Sequence, residues 1–549
     1  MRTQESMDEL RKNQVHTALV DNWSSDGAGV CRIFGRAVFV KGAIPGETWR
    51  VRILKVTSSA VFARGEELLL PSPHRLTPDC PVYGKCGGCA LRHVDYETEL
   101  AFKLQTVNEA YKRIGGLDLT ADTILGADQT DEYRNKAIYA IGDGPCHGFF
   151  RPRSHDVVAV ERCLLHPSAA DRAARAVCDF MARYSLPAYD ERTGRGLVRH
   201  VYVRVGFRSG EVLITVVAAG GFGALTASLA DTLRQAVPEA VGIVLGVNKS
   251  RGNTVLAGDF YTLWGSDTLH DTLCGLDFAL SPLSFYQVNP AQAEKLYAQA
   301  VEFAAPPGTG LVLDLYCGAG TISLCLAKRA KNVIGAEIVP DAIENAQRSA
   351  ARNGVTNVEF LCADAAEAGA ALCARGLRPD AVVLDPPRKG LAPAVIDAVA
   401  AMAPARVVYV SCNTATQARD LALFAARGYA AQKAVVVDMF PRTAHTETVV
   451  LLSKGKINSQ KVRVEFSLED MDMSEFQKGA TYDEIKAYVL EKFGLKVSTL
   501  YISQVKRKCG LEVGQSYNLA KSENVKVPQC PPEKEKAIME ALHFFQIIR

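Results

Sequence analysis

Leu311-Val-Leu-Asp314-Leu-Tyr316-Cys-Gly318-Ala-Gly320 opens the stretch whose pattern decides the fold. A short apolar run ends in two glycines, and the sequence then turns Ala-rich. The same alternation recurs around Asn332-Val-Ile-Gly-Ala-Glu337, Val358-Glu-Phe-Leu-Cys362, Ala381-Val-Val-Leu-Asp385 and Arg406-Val-Val-Tyr-Val410. Apolar strands separated by helical segments predict an α/β fold with a doubly wound parallel sheet.

In such a sheet the ligand edge is the carboxyl end of the strands, and that is where the unusual residues fall. Gly318 and Gly320 let backbone N–H groups approach a ligand where strand meets helix. Gly-x-Gly alone is a weak signal, and Ser323 stands where a dinucleotide fingerprint carries its third glycine, which speaks against a pyrophosphate. Glu337 ends the second strand 19 residues after Gly318, placed for ribose hydroxyls, and Asp364 ends the third, placed for an adenine amino group. An acidic pocket with no lysine in its glycine turn suits a cationic sulfonium, so S-adenosylmethionine is expected over a dinucleotide. Asp385-Pro-Pro-Arg388-Lys-Gly ends the fourth strand, its prolines stiffening the loop beside a methyl donor. Amino-group methyltransferases carry an aromatic residue after these prolines; Arg388 in its place argues against amine methylation.

Two further strand ends carry a nucleophile and a carboxylate. Cys412 sits in Val-Ser-Cys412-Asn-Thr, and Glu447 follows 35 residues later in His-Thr-Glu447-Thr-Val-Val. A lone cysteine in an apolar setting is ordinarily a small core residue. Paired with a carboxylate it can alkylate an unactivated pyrimidine carbon: a thiolate adds to C6 of uracil, C5 becomes enolate-like, and after methylation a base removes the C5 proton.

Cys80-Pro-Val-Tyr-Gly-Lys-Cys86-Gly-Gly-Cys89 sets three cysteines within ten residues in a glycine- and proline-bracketed loop. An iron–sulfur cluster or a structural zinc needs a fourth thiolate. Cys163 is the first candidate and Cys146 the second, and the residues by themselves leave both metals open.

The 549 residues are too many for one ordinary domain. With 48% hydrophobic and 22% charged residues the composition is globular, and the net charge of +3 confines any nucleic-acid surface to a local patch. The N-terminus has no apolar signal core and no apolar stretch is long enough to span a bilayer, so no membrane partner and a cytoplasmic location are expected. Fifteen cysteines there are scattered core residues and ligands rather than a disulfide framework.

Alternation in His16-Thr-Ala-Leu-Val-Asp21, Arg36-Ala-Val-Phe-Val-Lys41, Trp49-Arg-Val-Arg-Ile-Leu-Lys-Val56 and Ser59-Ala-Val-Phe-Ala-Arg64 predicts a small five-stranded barrel. Arg50, Arg52 and Lys55 would form a basic strand face able to track phosphates. Ser168 to Tyr184 reads as a helix. Arg199, Tyr202, Arg204 and Arg208 lie on and just after a strand, either an RNA platform or an ordinary Arg-rich edge. Past residue 456, Thr481 and Glu484 form a capping box, Gly494 ends that helix, and a second helix closes on Lys506-Arg507-Lys508. This predicts a helix-turn-helix or a packing hairpin. The expected divisions are 1–72 (barrel), 73–285 (cysteine loop and central α+β domain), 286–455 (parallel-sheet domain) and 456–549 (helical extension).

Between about residues 15 and 454 these pieces resemble the RNA (uracil-5-)methyltransferase family, and more closely its iron–sulfur branch acting on 23S ribosomal RNA. The resemblance rests on a barrel similar to the TRAM domain, the Cys80/Cys86/Cys89/Cys163 set, Ser284-Phe-Tyr-Gln287-Val-Asn, the Asp314 glycine loop, Asp385-Pro-Pro-Arg-Lys-Gly, Ser-Cys412-Asn and His-Thr-Glu447-Thr. It implies that Cys412 is the nucleophile and Glu447 the proton acceptor. It implies that Gln287, Tyr316, Thr321, Glu337, Asp364 and Asp385 contact S-adenosylmethionine, and that the four thiolates hold a [4Fe–4S] cluster. Tyr316 and Thr321 depart from the Phe and Asn common at those places. The tRNA branch lacks barrel and cluster, so a single-stranded or loop uridine of 23S rRNA is the expected substrate, methylated by a monomer. The rivals are a tRNA uridine and a non-catalytic RNA-binding iron–sulfur protein; the second has no use for both Cys412 and Glu447.

Overall fold

A computed structural model describes residues 10–252, 254–454, 482–509 and 530–544. The chain divides after Phe466 into two compact units.

The first unit begins with strands β1 (Val15–Trp23), β2 (Gly29–Ile33), β3 (Arg36–Val40), β4 (Thr48–Val56) and β5 (Val61–Leu70). They close into a barrel in the order β1-β2-β3-β5-β4, around Val20, Cys31, Val38, Val40, Val51, Ile53 and Val61. β2, hidden among glycines, was not among the strands read from alternation. Gly29 is needed there because a Cβ would lie 2.8 Å from the Ala43 carbonyl. Two of the three cations of the basic face are compensated: Arg50 pairs with Glu67 at 2.6 Å and Arg52 with Glu66 at 2.5 Å, both partners from β5.

Helix α1 (Tyr96–Arg113), capped by Asp95, and the short β6 (Thr123–Leu125) follow. β7 (Lys136–Gly142), β8 (Cys146–Phe150), β9 (Val157–Ala159), β10 (Val198–Val205), β11 (Val212–Ala218), β12 (Ala240–Val247) and β13 (Asp259–Gly265) form a second sheet. Its order is β13-β12-β11-β10-β7-β8-β9, and α2 (Ser168–Arg183) and α3 (Thr226–Ala236) pack on one face. The arginines read as an RNA platform are committed internally. Arg199 is 3% exposed and salt-bridged to Glu191 at 2.8 Å; Arg204 is 1% exposed and donates to the Tyr202 hydroxyl and the Ser284 carbonyl. Arg208 pairs with Glu294 at 3.0 Å.

After the hairpin β14 (Leu269–Leu273) and β15 (Leu276–Leu280) and helix α4 (Pro290–Ala304) comes the third sheet. Its strands are β16 (Leu311–Leu315), β17 (Asn332–Glu337), β18 (Val358–Cys362), β19 (Ala381–Leu384), β20 (Arg406–Ser411), β21 (Tyr429–Val437) and β22 (Glu447–Lys454). The order is β18-β17-β16-β19-β20-β22-β21-β6, with β16 to β20 parallel and β22 antiparallel to both neighbours. Helices α5 (Thr321–Ala327), α6 (Pro340–Arg352), α7 (Ala365–Ala374), α8 (Pro393–Met402) and α9 (Thr414–Ala425) alternate with the strands. Successive strand residues bury into opposite layers, Val312 and Val383 toward α4 and α5, Leu313 and Val382 toward α8 and α9. Coverage on both faces is why these strands read as continuous apolar runs. Each fully buried Val or Leu contributes roughly 1.5–3 kcal/mol. Residues far upstream join in: α1 packs on the α8/α9 layer and β6 extends the sheet edge, parallel to β21.

The second unit is three helices, α10 (Tyr482–Phe493), α11 (Thr499–Lys508) and α12 (Pro532–Phe544). Gly494 ends α10 at φ +66°. Thr481 of the expected capping box lies outside the described residues. The two-helix motif is not left open: α12 brings Ile538 and Leu542 onto Ile485, Val489, Ile502 and Val505 of the other two helices. Among the described residues no helix is long and apolar enough to cross a membrane.

Candidate active site and cysteine loop

The sheet's hydrogen-bond register brings the expected nucleophile and base together. β20 and β22 run antiparallel with Ser411 opposite Thr448. Cys412, one residue past the end of β20, and Glu447, the first residue of β22, therefore fall side by side. Thr448 Oγ1 lies 3.2 Å from the Ser411 carbonyl and 2.8 Å from Gln417 Oε1, tying the two strand ends together. Asn413 caps α9 through the N–H groups of Ala415 and Thr416, and its amide donates to the Arg388 carbonyl at 3.1 Å. Ser-Cys-Asn thus reads as strand end, thiol and helix cap. The Asp385-Pro-Pro-Arg388 loop is fastened beside it: the fully buried Asp420 accepts from Leu391 N–H and from the Tyr409 hydroxyl, each at 2.7 Å. Gly390 has φ +73°, and a Cβ there would sit 2.5 Å from Asp420 Oδ2.

Burial pushes the Cys412 thiol up to about 11, with the negative charges of Glu447 and Asp385 adding to it. Glu447, 5% exposed, is pushed well above the usual carboxylate range by burial and then by Asp385. The positive charge of Arg388 opposes both shifts. Sequence reading used Arg388 only to exclude amines. Its position directly after the two prolines was the available signal for a cation beside Cys412.

Tyr316, Glu337, Asp364 and Asp385 lie at or just past the carboxyl ends of adjacent strands, where β16 lies between β17 and β19 and the strand order reverses. Tyr316 follows β16 in a left-handed conformation, φ +71°. Glu337 ends β17; its carboxylate accepts Gly318 N–H at 3.3 Å and Ile338 N–H at 2.9 Å. Asp364 caps α7, accepting Ala366 N–H at 2.9 Å. Thr321 opens α5 and its hydroxyl meets that of Tyr297 at 3.3 Å. Gln287 lies in the loop before α4, its carbonyl accepting Asn135 Nδ2 at 2.9 Å. Asp385 and the fully buried Asp314 are each raised to about 7, Asp385 by burial and the charge of Asp314, Asp314 chiefly by burial with the charge of Glu337 adding. Ser323 Oγ donates to Asp314 Oδ2 at 2.5 Å, while Oδ1 is buried with no partner. Clustered carboxylates with one oxygen unsatisfied fit a cationic ligand, as S-adenosylmethionine is.

Cys80, Cys86, Cys89 and Cys163 are all free thiols. Burial pushes Cys89 up to about 12, and Cys163, Cys86 and Cys80 each add to its shift; burial likewise raises Cys163 to about 11, with Asp171 and then Cys86 and Cys80 adding to it. The four are one electrostatic neighbourhood. Cys146 is outside it, its shift coming from burial and Asp143. Gly87, at φ +74°, packs so tightly that a Cβ would meet Pro152 at 2.5 Å, and Gly88 N–H donates to Cys86 Sγ at 3.5 Å. Among the described residues, however, no three His, Cys, Asp or Glu side chains stand close enough to hold one metal ion.

This sheet and acidic pocket define an S-adenosylmethionine-dependent methyltransferase. The tRNA (uracil-5-)-methyltransferase family model matches residues 127–455, and the chain belongs to that family. An uncharacterized RNA methyltransferase of Listeria innocua is 40% identical over 447 residues, 81% of this chain and 98% of its own. One of Clostridium tetani is 38% identical, over 81% of this chain and 97% of its own. The solved structure of Pyrococcus abyssi tRNA (uracil-54, C5)-methyltransferase in complex with S-adenosyl-L-homocysteine aligns with a TM-score of 0.65 at 27% identity, over 79% of this chain and 99% of that one.

Proposed function

We propose that this RNA methyltransferase methylates C5 of a uridine in cytoplasmic 23S rRNA through a covalent adduct to Cys412, acting as a monomer. The observation that carries the reading is the cross-strand adjacency of Cys412 and Glu447 beside the acidic pocket. Gln287, Tyr316, Thr321, Glu337, Asp364 and Asp385 would hold S-adenosylmethionine, which would supply an electrophilic methyl group as its methyl–sulfur bond breaks and S-adenosylhomocysteine is left. Arg388 stabilises the Cys412 thiolate, whose sulfur bonds to C6 as the C5–C6 double bond opens and its electrons move to C5. Once C5 carries the methyl group, the Glu447 carboxylate takes the C5 proton. The electron pair left behind restores the double bond and expels the thiolate.

The resemblance of Cys80, Cys86, Cys89 and Cys163 to the iron–sulfur branch supports a [4Fe–4S] cluster on those four thiolates, with zinc as the alternative. Barrel and cysteine set favour 23S rRNA. The Pyrococcus enzyme and the family description favour a tRNA uridine as the second reading. Mapping 5-methyluridine in rRNA and tRNA from a strain lacking the gene decides: loss from 23S rRNA alone is expected, and loss from tRNA alone overturns the rRNA assignment.

A further inference from the structure

We propose that Arg442 is a positioning residue for proton removal, fastening the segment that ends in Glu447 to the chain just after Cys89. This rests on Glu447 being the base. Residues 438–446 connect β21 to β22 and deliver Glu447 to the site. The segment is gripped almost residue by residue from outside its own sheet. Asp438 accepts from Lys103 Nζ at 2.6 Å and from the Tyr96 hydroxyl at 2.7 Å. The Met439 carbonyl accepts from Asn289, Phe440 from Lys103, and Pro441 from the Tyr133 hydroxyl.

Arg442 is the hub. It has φ +70°, a conformation that non-glycine residues rarely adopt. That turn aims its carbonyl at two donors at once, Ala90 N–H at 2.9 Å and Leu91 N–H at 3.1 Å, the residues directly following Cys89. Its own N–H donates to Glu99 Oε1 at 2.7 Å. The guanidinium donates to Thr130 Oγ1 at 3.1 Å and the Val94 carbonyl at 3.4 Å, and lies 5.6 Å from the Tyr96 ring centroid. Each anchor except Thr130 lies between Cys89 and the middle of α1. An arginine holds an unfavourable backbone conformation only where its surroundings over-determine it, and such places cluster where geometry matters for chemistry.

Cys412 needs no such brace, since it sits on the β20 end and α9 cap. Glu447 is different: it begins its strand, and everything upstream of it for nine residues is loop. Proton removal requires that carboxylate within hydrogen-bond reach of C5, so a small displacement slows that step more than the earlier ones.

The test uses the full-length holoprotein, RNA substrate and methyl-labelled S-adenosylmethionine in single turnover, separating labelled free RNA from labelled protein–RNA adduct. Arg442→Ala is expected to leave cofactor affinity largely unchanged, slow release of methylated RNA by roughly ten- to a hundredfold, and accumulate methylated adduct. Arg442→Lys should recover part of the release rate, because it keeps a cation over Tyr96 and beside Glu99. Arg442→Gly relieves the positive φ, folds without that strain, and should still accumulate adduct because the side-chain anchors are gone. Unchanged release in these variants, or equal slowing of adduct formation and release, overturns the inference, as does loss of cofactor binding in all three. If Glu447→Gln accumulates adduct and the Arg442 variants do not, only this inference falls. If Glu447→Gln accumulates none, the base assignment fails and the inference falls with it.

Discussion

The Cys412–Glu447 pair and the cysteine loop are built in opposite ways. Cys412 and Glu447 come together because Ser411 and Thr448 are partners in a ladder, and backbone hydrogen bonds along β20 and β22 set the spacing. The expected thiolate set has no such ladder. Three of its cysteines sit in one loop, where Gly87 packs against Pro152, and the fourth follows β9. A site on strand ends keeps its geometry when one functional side chain is removed. A site on loops depends on whatever its side chains bind. The expected outcomes below test that contrast, from the largest effect to the smallest.

Cys412→Ala should abolish methylation, by roughly four orders of magnitude or more, while leaving thermal stability and S-adenosylmethionine binding nearly unchanged. Covalent trapping on RNA containing 5-fluorouridine should vanish with it. Trapping or normal turnover in the variant would remove the thiol from the mechanism.

Glu447→Gln should slow product release by about 10²- to 10⁴-fold and leave a methylated adduct. It should also shift the thiol. Glu447 is an anion that disfavours the neighbouring thiolate, so a neutral amide there lowers the Cys412 pKa from about 11. Alkylation of Cys412 by iodoacetamide, followed by peptide mass spectrometry, should begin at a lower pH in the variant. An identical pH profile would mean that the two side chains do not face each other in solution.

Cys163→Ser probes the loop-built site. Anaerobically purified wild-type protein should be brown with about four irons and four sulfides per chain, and the variant should lose them. If Cys163 closes a loop onto Cys89 through a shared cluster, hydrogen exchange should rise over residues 80–165 before it rises in β16 to β22, with a stability loss of a few kcal/mol. Colourless wild-type protein with stoichiometric zinc would overturn the cluster. Equal loosening of the catalytic sheet would overturn the contrast itself.

Truncation after Lys454 should matter least. The family model ends at residue 455, and Lys508 in the basic helix end is already paired with Glu535 at 2.8 Å. The slope of log affinity for RNA against log salt should therefore change by about one or less. A larger change would make the helical unit a principal RNA contact.

The amino-acid sequence by itself determined the layers. The doubly wound sheet, the barrel and the sulfonium-type pocket were legible because burial on one or both faces writes a period into the chain, and glycines and acidic residues fall at fixed strand ends. Cys412 and Glu447 were visible as residues at the ends of two apolar runs. Only the tertiary structure decided what each charge faces. Arg199 and Arg204 look like an RNA surface in sequence and are buried partners of Glu191 and Ser284. Arg388 looks like a loop cation and faces the thiol. Arg442, unremarked in the sequence, binds the cysteine loop's exit, and α1 and β6 join a sheet whose other strands begin nearly 200 residues later. Periodicity is local, read over one turn or one strand; the partner of a charge or of a sheet edge is set by folding, at a separation that runs from 8 residues for Arg199 and Glu191 to 348 for Arg442 and Val94.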